Sequence, residues 1–270
     1  MNQPVAMIAP EVHPVPPRHG AAVEWWIYQV SRRLVHEWRP HVICIASHGY
    51  REEEVEDGVT FHRIRIGRLY KKLFQKLTRA DPWGYAARAQ WRMKRTGARI
   101  VHIHNDPELY RRLVSRERVP GRRYLLHLHN EREDLAGLEK AHLVAVSQYL
   151  GDWYGERLPA AKIEIVTNGV DTGQYLGARA STEERRQTLG IELPPETRVV
   201  LYAGRISPEK GLWQLVAAFR TLALQRTDAV LAIAGELSTG GPENRSAEYG
   251  RRVMQDLAAL PAGQIGRAHV

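Results

Sequence analysis

The sequence predicts an α/β protein with mainly parallel sheets, laid out in two units. Three observations predict it. Short apolar runs alternate with amphipathic stretches of helical period along nearly the whole chain, which is the pattern of repeated βαβ units. The 270 residues suit one large domain or two ordinary ones. A composition of 43% apolar and 26% charged residues supplies a core and excludes an intrinsically disordered chain.

The elements follow in order. A first strand is expected at 5–9, stopped by Pro10. A loop containing Pro and His runs to Gly20, and a helix runs from Ala22 to about Trp38. Strands at 42–46 and 60–66 come next, the second preceded by the turn signal Asp57-Gly58. A basic helical region at 69–95 is broken at Asp81-Pro82. Four more strands are expected at 99–104, 124–129, 143–146 and 163–167, separated by helical stretches near 109–116, 131–140 and 148–157. Asn168-Gly169 marks a turn, and past Asp171 the composition loosens as in a linker. Ser181-Thr182-Glu183-Glu184 is a capping-box pattern that opens a helix. A strand at 198–203, a helix at 212–224, a strand at 229–234, a Gly- and Ser-rich loop to Arg245 and a helix to about Leu260 complete the pattern. These boundaries give an N-terminal unit at 1–167 and a partial C-terminal unit at 168–264 with only two clear strands. The last residues, Ile265-Gly266-Arg267-Ala268-His269-Val270, match the translation of a common sequencing adapter. The natural chain is therefore expected to end near Gly263, with 265–270 a foreign tail.

Several function classes drop out early. The lone cysteine, Cys44, excludes an intramolecular disulfide framework and a multi-cysteine zinc site. No run of about 18 apolar residues is present. The N-terminus lacks a basic segment before its short apolar stretch, so it makes a poor signal peptide, and a cytoplasmic location is expected. With 39 Lys and Arg against 30 Asp and Glu, the net charge of +9 favours anionic partners. The excess is mostly arginine, which a GC-rich gene gives as readily as a binding surface does, and nucleic acid is not expected as a partner. Gly-x-Ser-x-Gly, Walker A and Gly-x-Gly-x-x-Gly patterns are absent from the sequence, which argues against a serine hydrolase, a P-loop NTPase and a typical dehydrogenase.

The strongest chemical signal is Leu201-Tyr202-Ala203-Gly204-Arg205-Ile206-Ser207-Pro208-Glu209-Lys210-Gly211-Leu212. A strand ends at Gly204, a short loop carries Arg205 and Lys210, and a helix begins near Gly211. Two cations beside a helix N-terminus, at the carboxyl end of a parallel strand, suit a diphosphate. A second segment, Ile163-Glu164-Ile165-Val166-Thr167-Asn168-Gly169-Val170-Asp171, reads as a strand entering an Asn-Gly turn.

A strand into Asn-Gly-Val-Asp, followed some thirty residues later by strand-Gly-Arg…Glu-Lys-Gly-helix, resembles the retaining glycosyltransferases of family 4. Within that family the chain is similar to the spore-coat-protein-like and bacterial cell-surface polysaccharide branch. The resemblance extends over essentially the whole chain to Leu260. It implies the GT-B fold: two Rossmann-like, doubly wound parallel-sheet domains, the first on the acceptor side and the second, incomplete here, binding the donor. It also implies transfer of a hexosyl group, with retention, from a nucleotide-diphosphate sugar to a cell-surface glycan or lipid-linked acceptor. No cofactor and no metal are expected, in keeping with the absence of an Asp-x-Asp site from the sequence.

Carried over by position, Arg205 and Lys210 would neutralise the leaving diphosphate. Gly20 would let backbone approach the same phosphates, although the family's Gly-Gly pair reads Gly20-Ala21 here. His129 would stand near the reacting sugar, with Asn130 in place of the usual Asp. Glu24, His104, Asn168, Gly204 and Glu209 are further candidates for the cleft. The family's Glu-x7-Glu motif does not follow Gly235, and 235–238 fits its Gly-x-Gly loop only loosely. The chain by itself is therefore expected to turn over little.

Two other readings stay open on the residues. His102/His104 and His127/His129 are His-x-His pairs, each able to place two imidazoles on one strand face, as in a zinc-dependent hydrolase. Pro107 stands where such a hydrolase has its third histidine. A non-enzymatic basic protein binding nucleic acid or an anionic membrane is the other. The Trp- and Tyr-containing basic stretch 69–95 would make the peripheral membrane contact, at the inner face of the plasma membrane.

Overall fold

The structure is a computed structural model. It describes residues 2–18, 20–67, 70, 82–173, 181, 184, 194, 196–235, 245–260 and 265–268. The chain forms two compact units, Met1–Val170 and Asp171–Val270.

In the first unit, strands β1 (Gln3–Ile8), β2 (Trp38–Ile45), β3 (Glu53–Glu56), β4 (Val59–Ile64), β5 (Ile100–His104), β6 (Arg123–Leu128), β7 (His142–Ala145) and β8 (Lys162–Ile165) form one sheet. Their order is β3-β4-β2-β1-β5-β6-β7-β8. Every pairing is parallel except β3 with β4. Neighbouring β1 and β5 are therefore where the winding reverses, and ligands of open parallel sheets bind outside the carboxyl ends of such a pair.

The helices are α1 (Ala22–Leu34), α2 (Tyr85–Thr96), α3 (Pro107–Ser115) and α4 (Gln148–Arg157). Apolar side chains along β1 alternate, as the two-residue period of a strand requires. Ala6 and Ile8 join Ile43, Val101, Ile103, Leu126 and Leu143 in the larger core, under Met93 of α2, Leu113 of α3 and Tyr154 of α4. Met7 and Ala9 join Val42, Cys44 and Phe61 on the other face, under Ile27 of α1. Further along that second face the sheet changes character: His104 of β5 and His127 of β6 are buried there instead of aliphatic residues.

Local chemistry explains the helix ends. Pro107 opens α3, and the Asp106 carboxylate accepts from the Leu109 N–H at 2.9 Å. Ser147 caps α4 in the same way through Leu150 N–H, at 3.3 Å.

Three sequence expectations need correction. The first helix ends at Leu34, and Trp38 already belongs to β2. Pro40 cannot continue a helix and pushes Arg39 into extended backbone. The Asn2 amide also ties down the chain by donating to the carbonyls of Val35 and His36, at 3.1 and 3.2 Å. Second, residues 131–140 form turns, not a helix. Arg111 holds them by donating to the carbonyls of Asp134 and Ala136, at 3.0 and 2.9 Å, and Gly137 takes a φ of +79°. Third, Asp57-Gly58 is the tip of a hairpin whose first strand, β3, was not expected. Both tip residues have positive φ, 48° and 79°, as a primed hairpin turn needs. Glu53-Glu54-Val55-Glu56 is a poor strand former by propensity. Its carboxylates each find a donor: Arg92 for Glu53 (3.1 Å), Arg63 for Glu54 (2.7 Å) and the Tyr28 hydroxyl for Glu56 (2.9 Å). At the opposite margin of the sheet, β8 carries Lys162 paired with Glu164 at 2.6 Å.

Arg63 on β4 is the largest fully buried side chain, at 0% exposure. Its Nε and Nη2 donate to the Val15 carbonyl at 3.3 and 3.1 Å, and Nη1 donates to the Arg51 carbonyl at 3.0 Å as well as to Glu54. It thereby pins the loop that follows β1.

His41 and His62, on β2 and β4, stack with Nδ1 and Nε2 3.1 Å apart. Burial, with the positive field of His62 and Arg39, pushes His41 down to about 4 from the usual 6.5, against the attraction of Glu53. Burial lowers His62 too, opposed by Glu53 and reinforced by Arg92 and Arg95. A histidine with a depressed folded pKa binds its proton more readily when unfolded. Its stabilising effect is complete above about 6.5 and is lost as pH falls towards 4. Urea midpoints measured across that window are expected to fall with acid, and less steeply in His41→Gln. Equal slopes in both proteins would remove His41 as the responsible group.

In the second unit, β9 (Arg198–Ala203), β10 (Ala229–Ala234) and β11 (Ile265–Ala268) form a parallel sheet in the order β11-β10-β9. Within 168–264 the strands among the described residues are the two expected, β9 and β10, while β11 lies in the segment 265–270 expected to be a foreign tail. Helices α5 (Leu212–Ala223) and α6 (Arg245–Ala258) cover it. Leu212, Val216 and Phe219 follow a helical stripe and pack with Leu231, Ile233, Val253 and Leu257. The capping box is present: Glu184 N–H donates to Ser181 Oγ at 3.1 Å and Ser181 N–H to Glu184 Oε2 at 2.6 Å. Most of the basic stretch (68–69 and 71–81), the linker at 174–180 and the loop at 236–244 lie outside the described residues. No helix among the described residues is long and apolar enough to cross a membrane.

Candidate active site

The second unit gathers four of the expected residues on one loop. β9 delivers the chain to Gly204, whose φ of +156° suits only glycine. Arg205 follows, 62% exposed on its side chain, and its backbone carbonyl accepts from the Tyr202 hydroxyl at 2.7 Å. A single 3-10 turn, Pro208–Lys210, intervenes before α5, which the sequence did not foresee. Gly211 then turns the chain with φ +68° and caps α5. Buried Ile206 and Ser207 root the loop, leaving Arg205, Glu209 and Lys210 exposed. Glu209 accepts from Ser207 Oγ at 2.6 Å and lies 3.4 Å from Arg205 Nη2. The Ser207 hydrogen bond, then the glutamate's own backbone, holds its carboxyl below the usual range. Glu209 orients the guanidinium, and the two cations remain open to an anion beside the start of α5, where the Trp213 N–H already donates to the Tyr249 hydroxyl at 2.9 Å.

Gly235 is the less obvious member of this group. Gly204 N–H donates to the Ala234 carbonyl at 3.0 Å, and a Cβ built on Gly235 would stand 2.0 Å from the Gly204 carbonyl oxygen. The loop after β10 thus braces the loop after β9 by direct backbone contact. Gly235→Ala is expected to destabilise the second unit by about 1–3 kcal/mol, the usual cost of overpacking. A melting curve superposable on that of the unaltered protein would contradict the close approach.

In the first unit, His129 follows β6 and its backbone N–H donates to the Asn105 side-chain oxygen at 3.0 Å. Asn105, at the end of β5, has φ +50° and donates its own backbone N–H to the His127 carbonyl at 2.7 Å. It ties the carboxyl ends of β5 and β6 together, and sequence reading assigned it no role. Its signal was an Asn, tolerant of left-handed backbone, directly after a strand. Burial pushes the His129 imidazole down to about 4, so it is neutral near pH 7. Asn130 is exposed, and its carbonyl accepts from the Tyr154 hydroxyl at 2.9 Å.

His104 lies inside the unit at 0% exposure, beneath Trp26 of α1. The indole of Trp26, which sequence reading did not single out, also touches His102, His127 and His129. Gly20 and Ala21 enter α1 with φ of +51° and +60°. Nothing lies within 4 Å of a Cβ built on Gly20, so its left-handed backbone and not crowding favours glycine there. Glu24, in the first turn of α1, is 4% exposed, and burial raises its carboxyl. Asn168 sits in an exposed segment after β8. A separate concavity of about 350 Å³ is lined by Arg63, Arg65, Arg88 and Arg92 with Trp83, Trp91 and Glu52, the last paired with Arg65 at 3.0 Å.

A doubly wound parallel-sheet unit followed by a second parallel α/β unit, the latter carrying an anion-receptive loop at a strand's carboxyl end, fits the GT-B class. Solved structures agree on the fold. UDP-forming α,α-trehalose-phosphate synthase from Burkholderia xenovorans superposes with a TM-score of 0.65 at 13% identity, covering 98% of this chain and 74% of that one. The chain belongs to Glycosyltransferase Family 4, whose sequence profile matches residues 23–174; that of Glycosyl transferases group 1 matches residues 183–252. A lipopolysaccharide 1,2-N-acetylglucosaminetransferase of Salmonella typhimurium (strain LT2) is 39% identical over 245 residues, 89% of this chain. Spore coat protein SA of Bacillus subtilis (strain 168) is 26% identical over 257 residues, 88% of this chain. The chain spans 62% of the length of each of these two relatives.

Proposed function

We propose that this protein moves a hexosyl group from a nucleoside-diphosphate sugar to a cell-surface glycan or lipid-linked acceptor, with retention at the anomeric carbon. The observation that carries the reading is the loop of Gly204, Arg205, Glu209 and Lys210 at the start of α5. When the bond from sugar C1 to the diphosphate oxygen breaks, its electron pair stays on the diphosphate. The Arg205 guanidinium, the Lys210 ammonium and the positive end of the α5 dipole would stabilise that charge without a metal ion at the phosphates. Gly20 is assigned to the diphosphate, and Glu24, His129, Asn130 and Asn168 to the acceptor side and the reacting sugar, with neutral His129 as a hydrogen-bonding group. His104, lacking surface, would act only through its neighbours. The Salmonella relative's name points to N-acetylglucosamine as the sugar. The arginine- and tryptophan-lined concavity suits an anionic lipid-linked acceptor, or the headgroups of the membrane presenting it, on the cytoplasmic side.

A thermal-shift screen of the full-length gene product against UDP-, GDP- and ADP-sugars tests the reading. A ligand at a hundred times its Kd contributes about 2.7 kcal/mol of stability. One nucleotide series is expected to shift the transition. No shift with any of them, together with no transfer of labelled sugar, would end the proposal.

A further inference from the structure

The second face of the first sheet holds a feature that sugar transfer does not use. β5 and β6 are parallel and register His104 beside His127. His102 lies two residues before His104, hence on the same face. The rings of His102 and His127 stack 5.1 Å apart at 5°, and those of His102 and His104 are 4.3 Å apart. Trp26 closes over them, its ring centre 5.9, 5.1 and 4.7 Å from those of His102, His104 and His127.

Five ring nitrogens in this packet are buried without a hydrogen-bond partner: His102 Nε2 and both nitrogens of His104 and of His127. Buried polar atoms are almost always satisfied, and a single ion would take one nitrogen from each ring, three of the five. Each of the three imidazoles offers a nitrogen within 4.8 Å of the other two. Nitrogen ligands about 2.0–2.1 Å from a tetrahedral zinc ion stand about 3.3 Å apart, so the rings need to draw in by at most about 1.5 Å. An all-imidazole donor set suits zinc, copper, nickel or cobalt and not magnesium or calcium, which demand oxygen.

We propose that His102, His104 and His127 bind one divalent late transition-metal ion, zinc in the first instance, inside the first unit. The ion ties the carboxyl ends of β5 and β6, from which Asn105 and His129 project, and so fixes the backbone that positions His129. It has no part at the diphosphate. The proposal is independent of the transferase reading and stands or falls on metal binding alone.

The test is zinc titration of the chelator-stripped 270-residue chain against a chromophoric competitor, with Co2+ as a spectroscopic probe. One equivalent of zinc is expected to bind and raise the melting temperature, and Co2+ is expected to show the strong visible bands of a four-coordinate ion. His102→Ala and His127→Ala, checked for folding by circular dichroism, are expected to weaken binding by more than about a hundredfold. His36→Ala, at an exposed position, is expected to leave binding unchanged. The Co2+ spectrum of the unaltered chain keeps the test decisive if either cluster variant fails to fold. The proposal is overturned if the unaltered chain binds zinc more weakly than about 10 μM, far short of a built site. Undiminished binding in folded His102→Ala or His127→Ala overturns it equally, and leaves solvent as the partner of these nitrogens.

Discussion

Arg205→Ala and Lys210→Ala are each expected to lower the rate of sugar transfer by about 10²–10³-fold, the scale of removing one preorganised donor from developing negative charge. Stability is expected to stay within about 0.5 kcal/mol, because both side chains are exposed and neither supports the core. The combination matters: a loop that served only as a surface turn would show neither loss. Arg205→Lys separates charge from geometry, since lysine keeps the charge but not the planar fork that grips two phosphate oxygens. Steady-state kinetics on the full-length gene product, with unfolding curves alongside, reads both quantities. Rates like those of the unaltered protein in both alanine variants would remove the diphosphate role from this loop.

Arg63→Ala is expected to be the most destabilising single substitution in the first unit, costing about 3–5 kcal/mol, as breaking a buried pair does. It leaves the Val15 and Arg51 carbonyls without their donor and the Glu54 carboxylate half-buried without its partner. It also removes a guanidinium stacked 4.6 Å from the Tyr50 ring and 4.9 Å from Phe61. For a unit of this size the loss is a drop of roughly 10 °C in melting temperature. Arg63→Lys is expected to recover only part, since an ammonium cannot reach three acceptors in one plane. A loss under about 1 kcal/mol on urea unfolding would show that the loop after β1 is held by something else.

Elements whose residues agree locally with the fold were legible before any coordinates. β9 and β10 came out at their full extents because apolar runs there are bounded by turn residues on both sides. α4 was equally plain, with Ser147 as its cap. The failures came where distant groups overrule local preference. β3 is a strand because Arg63, Arg92 and Tyr28 donate to its glutamates, and residues 131–140 are turns because Arg111 donates to their carbonyls. In the site, Gly204, Arg205 and Lys210 could be named because their spacing carries their chemistry. Trp26 and Asn105 could not, and Gly235 showed only as the start of a loop with a loose fit to Gly-x-Gly. Each acts by meeting a residue remote in the chain: an imidazole on another strand, a neighbouring strand end, or a second glycine's carbonyl. The histidine pairs were visible as pairs, but their merging into one packet depends on the register of β5 against β6.

The two outer strands of the large sheet share a consequence. β3 meets solvent with Glu53 and Val55, Glu54 and Glu56 being half-buried, and β8 with Lys162, Glu164 and Ile165. A foreign strand docking on either margin would have to strip water from those charges and unseat the partners that Glu53, Glu54 and Glu56 already have. These charges oppose the addition of a further strand at either margin.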